Sequence, residues 1–122
     1  MTAWLDTGGF TPHGFCLSWD PSLMAAFILS NATIAAAYLT LSIVLSFAAL
    51  QPRPVVPRWL YWSFAVFIFG CGVTHVLDNV TLWFPVYRLQ AAVLAVTALV
   101  SLLAAVLPVS LWIRREADRW RR

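Results

Sequence analysis

Lysine is absent from this 122-residue chain, whose eight basic side chains are all arginine. Charged residues of either sign make up only 11% of it, while 61% is hydrophobic. A water-soluble domain of this size has too small an interior to hide so much apolar surface, so its natural solvent is lipid. A kinase, nucleotidase or hydrolase domain does not fit in what is left outside a bilayer. Nor do the five glycines form a phosphate-cradling loop or a nucleophile elbow. The first twenty residues lack the basic start and apolar core of a signal peptide. Only two cysteines occur, in different segments, which leaves one disulfide, two free thiols or thiolate metal ligands all open. Arginine used to the exclusion of lysine suits a GC-rich bacterial genome.

What remains is a pattern of long apolar runs with brief polar breaks, and it predicts an all-α membrane protein with three transmembrane helices. Residues 1–20 read as an ordered, non-helical leader outside the membrane. A first span covers about 21–50, with Asp20 as N-cap and Pro21 in the first turn. The segment Gln51 to Arg58 holds three prolines and two arginines and must be an extended loop. A second span covers about 59–83, Phe84-Pro85 interrupts, and a third covers about 86–113, with Pro108 expected to bend it. The run from Ile113 to Arg122 is helix-compatible: either it continues toward a signalling helix or it is a stop-transfer anchor on anionic headgroups.

Arginine placement predicts the orientation. Arg53 and Arg58 flank the first loop and Arg114, Arg115, Arg119, Arg121 and Arg122 follow the third span, against Arg88 alone on the other side. The positive-inside rule therefore puts the N-terminus outside and the C-terminus in the cytoplasm. Trp19, Trp83 and Tyr87 would mark the outer interface and Trp59, Tyr61, Trp62 and Trp112 the inner one. The formal net charge of +3 thus sits at membrane edges, which argues against nucleic acid as a partner and for membrane lipid.

Cys71 and His75 stand four apart in the second span, one above the other on one helix face. Counted from Trp83 at ~1.5 Å per residue, they lie ~18 and ~12 Å deep, where an ionisable side chain is a functional candidate. A thiolate and a neutral imidazole in a dry site favour a soft ion of low charge, Cu(I) above Ca(II) or Mg(II), with Zn(II) left open. Asp78, three residues on, is positioned to accept the second imidazole N–H and fix the tautomer. Asn31, counted from Trp19, comes out ~18 Å deep, level with Cys71, where it either bonds near a metal or bridges helices. His13 and Cys16, three apart at the outer interface, could add metal ligands, pass copper inward or form an intermolecular disulfide. Gln90, Thr97 and Ser101 share a face of the third span that should point into the bundle. Without a metal, Cys71 would pack as a small apolar residue, His75 would bond a hydroxyl on another helix, and Gly70 and Gly72 would serve only close helix approach.

A longer match adds to this. The run Phe69-Gly70-Cys71-Gly72-Val73-Thr74-His75-Val76-Leu77, then Thr81-Leu82-Trp83, and Leu94-Ala95-Val96-Thr97-Ala98-Leu99-Val100-Ser101 in the third span resemble the membrane sensor domain of ethylene receptors and their bacterial homologues. Pro12-His13-Gly14-Phe15-Cys16 with Trp19, and Ser30-Asn31-Ala32-Thr33-Ile34-Ala35-Ala36-Ala37-Tyr38, resemble the leader and first helix of the bacterial members. The resemblance covers about residues 10 to 115. It implies a homodimer of three-helix protomers with Cu(I) held by Cys71 and His75, and with Asn31, Asp78 and Thr74 around the ligand.

 It further implies that the domain reports ethylene, or a similar small unsaturated ligand, to a cytoplasmic output region of histidine-kinase type from a bacterial inner membrane, catalysing nothing itself. Three positions differ from the family's usual pattern. Asn31 replaces an aspartate and Leu94 a lysine, so two charges are lost together and neither is left as an unpaired ion in lipid. Phe15 stands where many bacterial members have a second histidine. Two other readings of the same residues are a copper sensor or carrier without ethylene binding, and a metal-free membrane interaction subunit.

Overall fold

A computed structural model describes residues 2–122. Among them the chain is helical and free of strands: α1 spans Pro21–Ala49, α2 Arg58–Val80 and α3 Tyr87–Trp120. With 29, 23 and 34 residues, the helices are ~44, ~35 and ~51 Å long, and all three are long and apolar enough to cross a membrane. The leader contains two short 3₁₀ turns, Thr2–Trp4 and His13–Phe15, where the sequence reading expected no helix.

Local chemistry sets the ends of each helix. Asp20 caps α1, accepting the Leu23 N–H at 2.9 Å, and Pro21 occupies the first turn. The Ser22 hydroxyl, and then the Leu23 N–H, hold the Asp20 carboxyl below its ordinary pKa. The proline-rich loop separates α1 from α2, and the Arg58 guanidinium ties that loop back by donating to the Gln51 carbonyl at 3.2 Å. α2 stops at Val80, three residues before the expected Trp83, because Thr81–Phe84 form a turn whose Thr81 hydroxyl donates to the Asp78 carbonyl at 3.0 Å. α3 runs on through Pro108 and seven residues past Ile113. Nothing in the arginine-rich run breaks the helix, and Glu116 pairs with Arg119 at 3.4 Å one turn later.

α2 lies in the middle. α1 packs along one side of it and α3 along the other, while α1 and α3 share no extended contact. Four contacts fix the antiparallel register of α1 on α2. Asn79 donates to the Ile28 carbonyl at 3.1 Å, Asn31 meets His75, Gly72 meets Leu39, and Ser42 donates to the Ala65 carbonyl at 2.9 Å. Gly72 allows this approach: a Cβ there would lie 3.1 Å from the Leu39 side chain. Gly70 does the same toward α3, where a Cβ would lie 2.7 Å from Thr97 Oγ1.

The tightest packing is at the leader end. Leu82 is fully buried, and Met24, Leu77, Thr81 and Val86 are buried around it. His13 and Gly14 donate their backbone N–H groups to the carbonyls of Thr81 and Leu82 at 2.8 and 3.0 Å, satisfying acceptors just beyond the end of α2. The spans themselves are open, with at most 22% of the most apolar stretch of any helix buried within the protomer. Large side chains such as Leu29, Phe47, Leu99, Leu102 and Trp112 are left facing outward, as a lipid solvent requires.

Candidate metal centre

Cys71 and His75 occupy successive turns of one face of α2, and both are partly buried. The imidazole is held from α1: His75 Nδ1 lies 2.8 Å from Asn31 Oδ1. With a carboxamide oxygen facing it, Nδ1 is the donor, so the lone pair of the neutral ring resides on Nε2. The Tyr38 ring, seven residues after Asn31 on the same face of α1, meets the His75 ring edge-on at 6.0 Å. Thr74 does not reach across to another helix; its hydroxyl donates back to the Cys71 carbonyl at 2.7 Å.

Two expectations need correction. Asp78 is not the hydrogen-bond partner of His75, because its Oδ2 stays 3.8 Å from Nδ1 while its Oδ1 accepts from Gln90 Nε2 of α3 at 2.6 Å. The long glutamine therefore draws the carboxylate toward α3, and Asn31 takes its place at the imidazole. Asn31 itself is opposite His75 and not level with Cys71. Carried seven residues back from the Ile28–Asn79 pair, the register sets Pro21 opposite Val86, so α1 begins ~9 Å farther out than α2 ends. Depths counted from Trp19 and Trp83 as if both were level misplace Asn31 by about one turn.

His13 and Cys16 part company. The His13 ring packs against Phe27 with centroids 6.2 Å apart and faces a polar cavity, whereas Cys16 is exposed and free. Cys71 is free as well, so the two thiols form no bridge within the chain. The cavity measures about 360 Å³ and is lined by His13, Phe27, Asn31, Asp78, Thr81, Tyr87 and Gln90. Leu94 is half exposed on α3, and nothing within the protomer brings it to Asn31. Gln90 and Thr97 point toward α2 as the face they share suggested, one to Asp78 and the other to Gly70.

Sequence reasoning missed Tyr38 and Asn79. Tyr38 was legible from its seven-residue spacing after Asn31. Asn79 was not, because the buried Oδ1 that it leaves without a partner is a matter of tertiary packing.

Comparison with known proteins agrees with the motifs. A family model described as the N-terminal domain of ethylene receptor 1-like proteins matches residues 22–113, well over half of the chain. No curated protein and no solved structure matches it. The matched stretch holds all three spans together with Asn31, Cys71 and His75, and the chain belongs to the ethylene receptor 1-like N-terminal domain family.

Proposed function

We propose that this membrane sensor domain binds Cu(I) through Cys71 Sγ and His75 Nε2, and that the metal takes up ethylene or a similar small unsaturated ligand. The observation that carries the reading is the Asn31–His75 hydrogen bond, which leaves the ring's lone pair on Nε2. The donor set suits Cu(I). No group of three or more histidine, cysteine or acidic side chains gathers among the described residues, and a tetrahedral zinc site wants three or four such ligands. One thiolate and one imidazole satisfy a soft ion content with few ligands. When bound, Cu(I) supplies d electron density to an alkene's π* orbital. The chain holds the imidazole tautomer through Asn31 and presents the thiol one turn deeper.

In this reading two protomers pair in a bacterial inner membrane with the leader outside, and α3 passes the signal to a cytoplasmic output region of histidine-kinase type. The test is copper per protomer by elemental analysis of detergent-purified protein under reducing conditions, with Cys71→Ser and His75→Ala alongside. Near-stoichiometric copper that both variants lose is the expected result, followed by ethylene titration of the loaded protein. Full retention in either variant refutes the ligand assignment.

A further inference from the structure

At the end of the bundle away from the leader, a crevice opens between the start of α2 and the later turns of α3. Trp59 and Leu60 line it from α2, and Pro108, Leu111, Trp112 and Arg115 line it from α3. It measures about 150 Å³, room for a phosphate group or a short stretch of acyl chain. Arg115 is the one charged residue in that lining, among aliphatic and indole side chains. Helix geometry selects it from the five arginines that follow Ile113: Pro108, Leu111 and Arg115 share a face of α3, and Arg114 is turned about 100° from it.

The charge around the crevice is mostly of one sign. Seven of the eight arginines lie at this end, against two carboxylates, Glu116 and Asp118. Glu116 pairs with Arg119 at 3.4 Å, and among the described residues neither carboxylate pairs with Arg115. Arg58, although next to Trp59 in sequence, donates to the Gln51 carbonyl at 3.2 Å. The Arg115 guanidinium is therefore left without a counter-charge beside an apolar wall.

An amphiphilic anion answers both features. A free phosphate would pair with the guanidinium and gain nothing from the aliphatic and indole wall, and an acyl chain alone would leave the guanidinium unpaired. Arginine presents a planar fork that matches phosphate oxygens, tryptophan rings settle at headgroup level, and basic pockets between membrane helices take anionic headgroups. We infer that this crevice holds one anionic phospholipid of the surrounding leaflet, with its phosphate on Arg115 and the upper part of a chain along Leu60, Pro108 and Leu111. Such a lipid joins α2, the helix of Cys71 and His75, to α3, the helix that continues past the apolar run. It differs from a plain anchor on anionic headgroups, in which every arginine would share. The inference does not rest on the copper reading.

The experiment is native mass spectrometry of the full chain, delipidated in detergent and titrated with phosphatidylglycerol or with phosphatidylcholine. The first phosphatidylglycerol should bind about tenfold more tightly than the first phosphatidylcholine, the least expected of a hydrogen-bonded charge. Arg115→Gln should abolish that preference and Arg121→Gln should keep it. Leu111→Trp retains every charge but fills the crevice, and should abolish it too. An unsubstituted protein that binds the two lipids alike overturns the site. So does a preference that survives Leu111→Trp, or one that the two arginine variants reduce equally, since diffuse attraction would then account for it. Displacement of the first phosphatidylglycerol by excess inorganic phosphate overturns the lipid as occupant. Copper content is a separate readout on the same protein, so failure here leaves the metal centre standing.

Discussion

Replacing Asn31 by leucine isolates the hydrogen bond on which the metal reading rests. Leucine is close in size to asparagine and apolar, so α1 keeps its helix and its place against α2, but His75 Nδ1 loses the acceptor 2.8 Å away. Hydrogen bonds between membrane helices average ~0.6 kcal/mol and reach ~1.7 kcal/mol, so the fold should lose about 1 kcal/mol. Metal affinity should fall further. Outer partners that fix a ligating histidine typically contribute 10- to 100-fold, which is ~1.4 to ~2.7 kcal/mol, because the freed ring can rotate and exchange tautomers. The assay is competition with a chromophoric Cu(I) chelator in detergent, with thermal unfolding of the metal-free protein measured in parallel. Asn31→Asp restores an acceptor at the same position and should recover part of the affinity. Leucine-variant affinity within twofold of the unsubstituted protein would refute the argument, reducing Asn31 to a bridge between helices.

Gly70→Ala should destabilise the α2–α3 contact by about 1 to 3 kcal/mol, since the new Cβ would lie 2.7 Å from Thr97 Oγ1; Thr97→Ala in the same chain should recover most of the loss, and additive losses in unfolding experiments would exclude this contact as the cause. Gly14→Ala should loosen the leader, because its Cβ would lie 2.8 Å from the Leu82 carbonyl oxygen, an atom of the backbone that cannot turn away; faster proteolysis of the leader checks it. Asp20→Ala should lower the melting temperature at neutral pH. The Asp20 carboxyl has a folded pKa below its unfolded one, so its contribution is complete above the unfolded value and disappears as the pH falls through the folded value, where variant and unsubstituted protein should melt together.

Much of the fold was legible because lipid makes the pattern simple. Three apolar runs bounded by prolines and by Asp20 gave three helices with ends within a few residues, apart from the C-terminal end of α3. There the expected span stops with the apolar run at Ile113, and the helix-compatible stretch after it does continue the helix: Arg114 to Trp120 stay helical without being apolar. The site was legible as far as a single helix reaches. Cys71 and His75 share a face by spacing alone, but spacing within α2 also offered Asp78 to His75, and only the presence of Gln90 on α3 decides against it.

The general lesson concerns polar side chains that have two helices to choose from. Asp78 faces His75 at 3.8 Å and Gln90 at 2.6 Å, and it takes the partner that satisfies its charge with a neutral N–H donor already aimed at it. His75 is then left to the neutral amide of Asn31, whose oxygen accepts from Nδ1 and leaves Nε2 as the ring's lone-pair nitrogen. A neutral ring is the form that can ligate a metal. Asn31 and Leu94 are both uncharged and do not meet within the protomer, Asn31 standing against His75 and Leu94 half exposed on α3. Gln90 is accordingly as much a part of the site as Asn31, since it keeps the one nearby carboxylate engaged elsewhere. Gln90→Leu should release Asp78 to compete with Asn31 for His75 Nδ1, and the Nδ1 resonance in the two-dimensional ¹H–¹⁵N spectrum of the histidine ring should then move; an unchanged ring spectrum would mean that Asn31 alone fixes the imidazole.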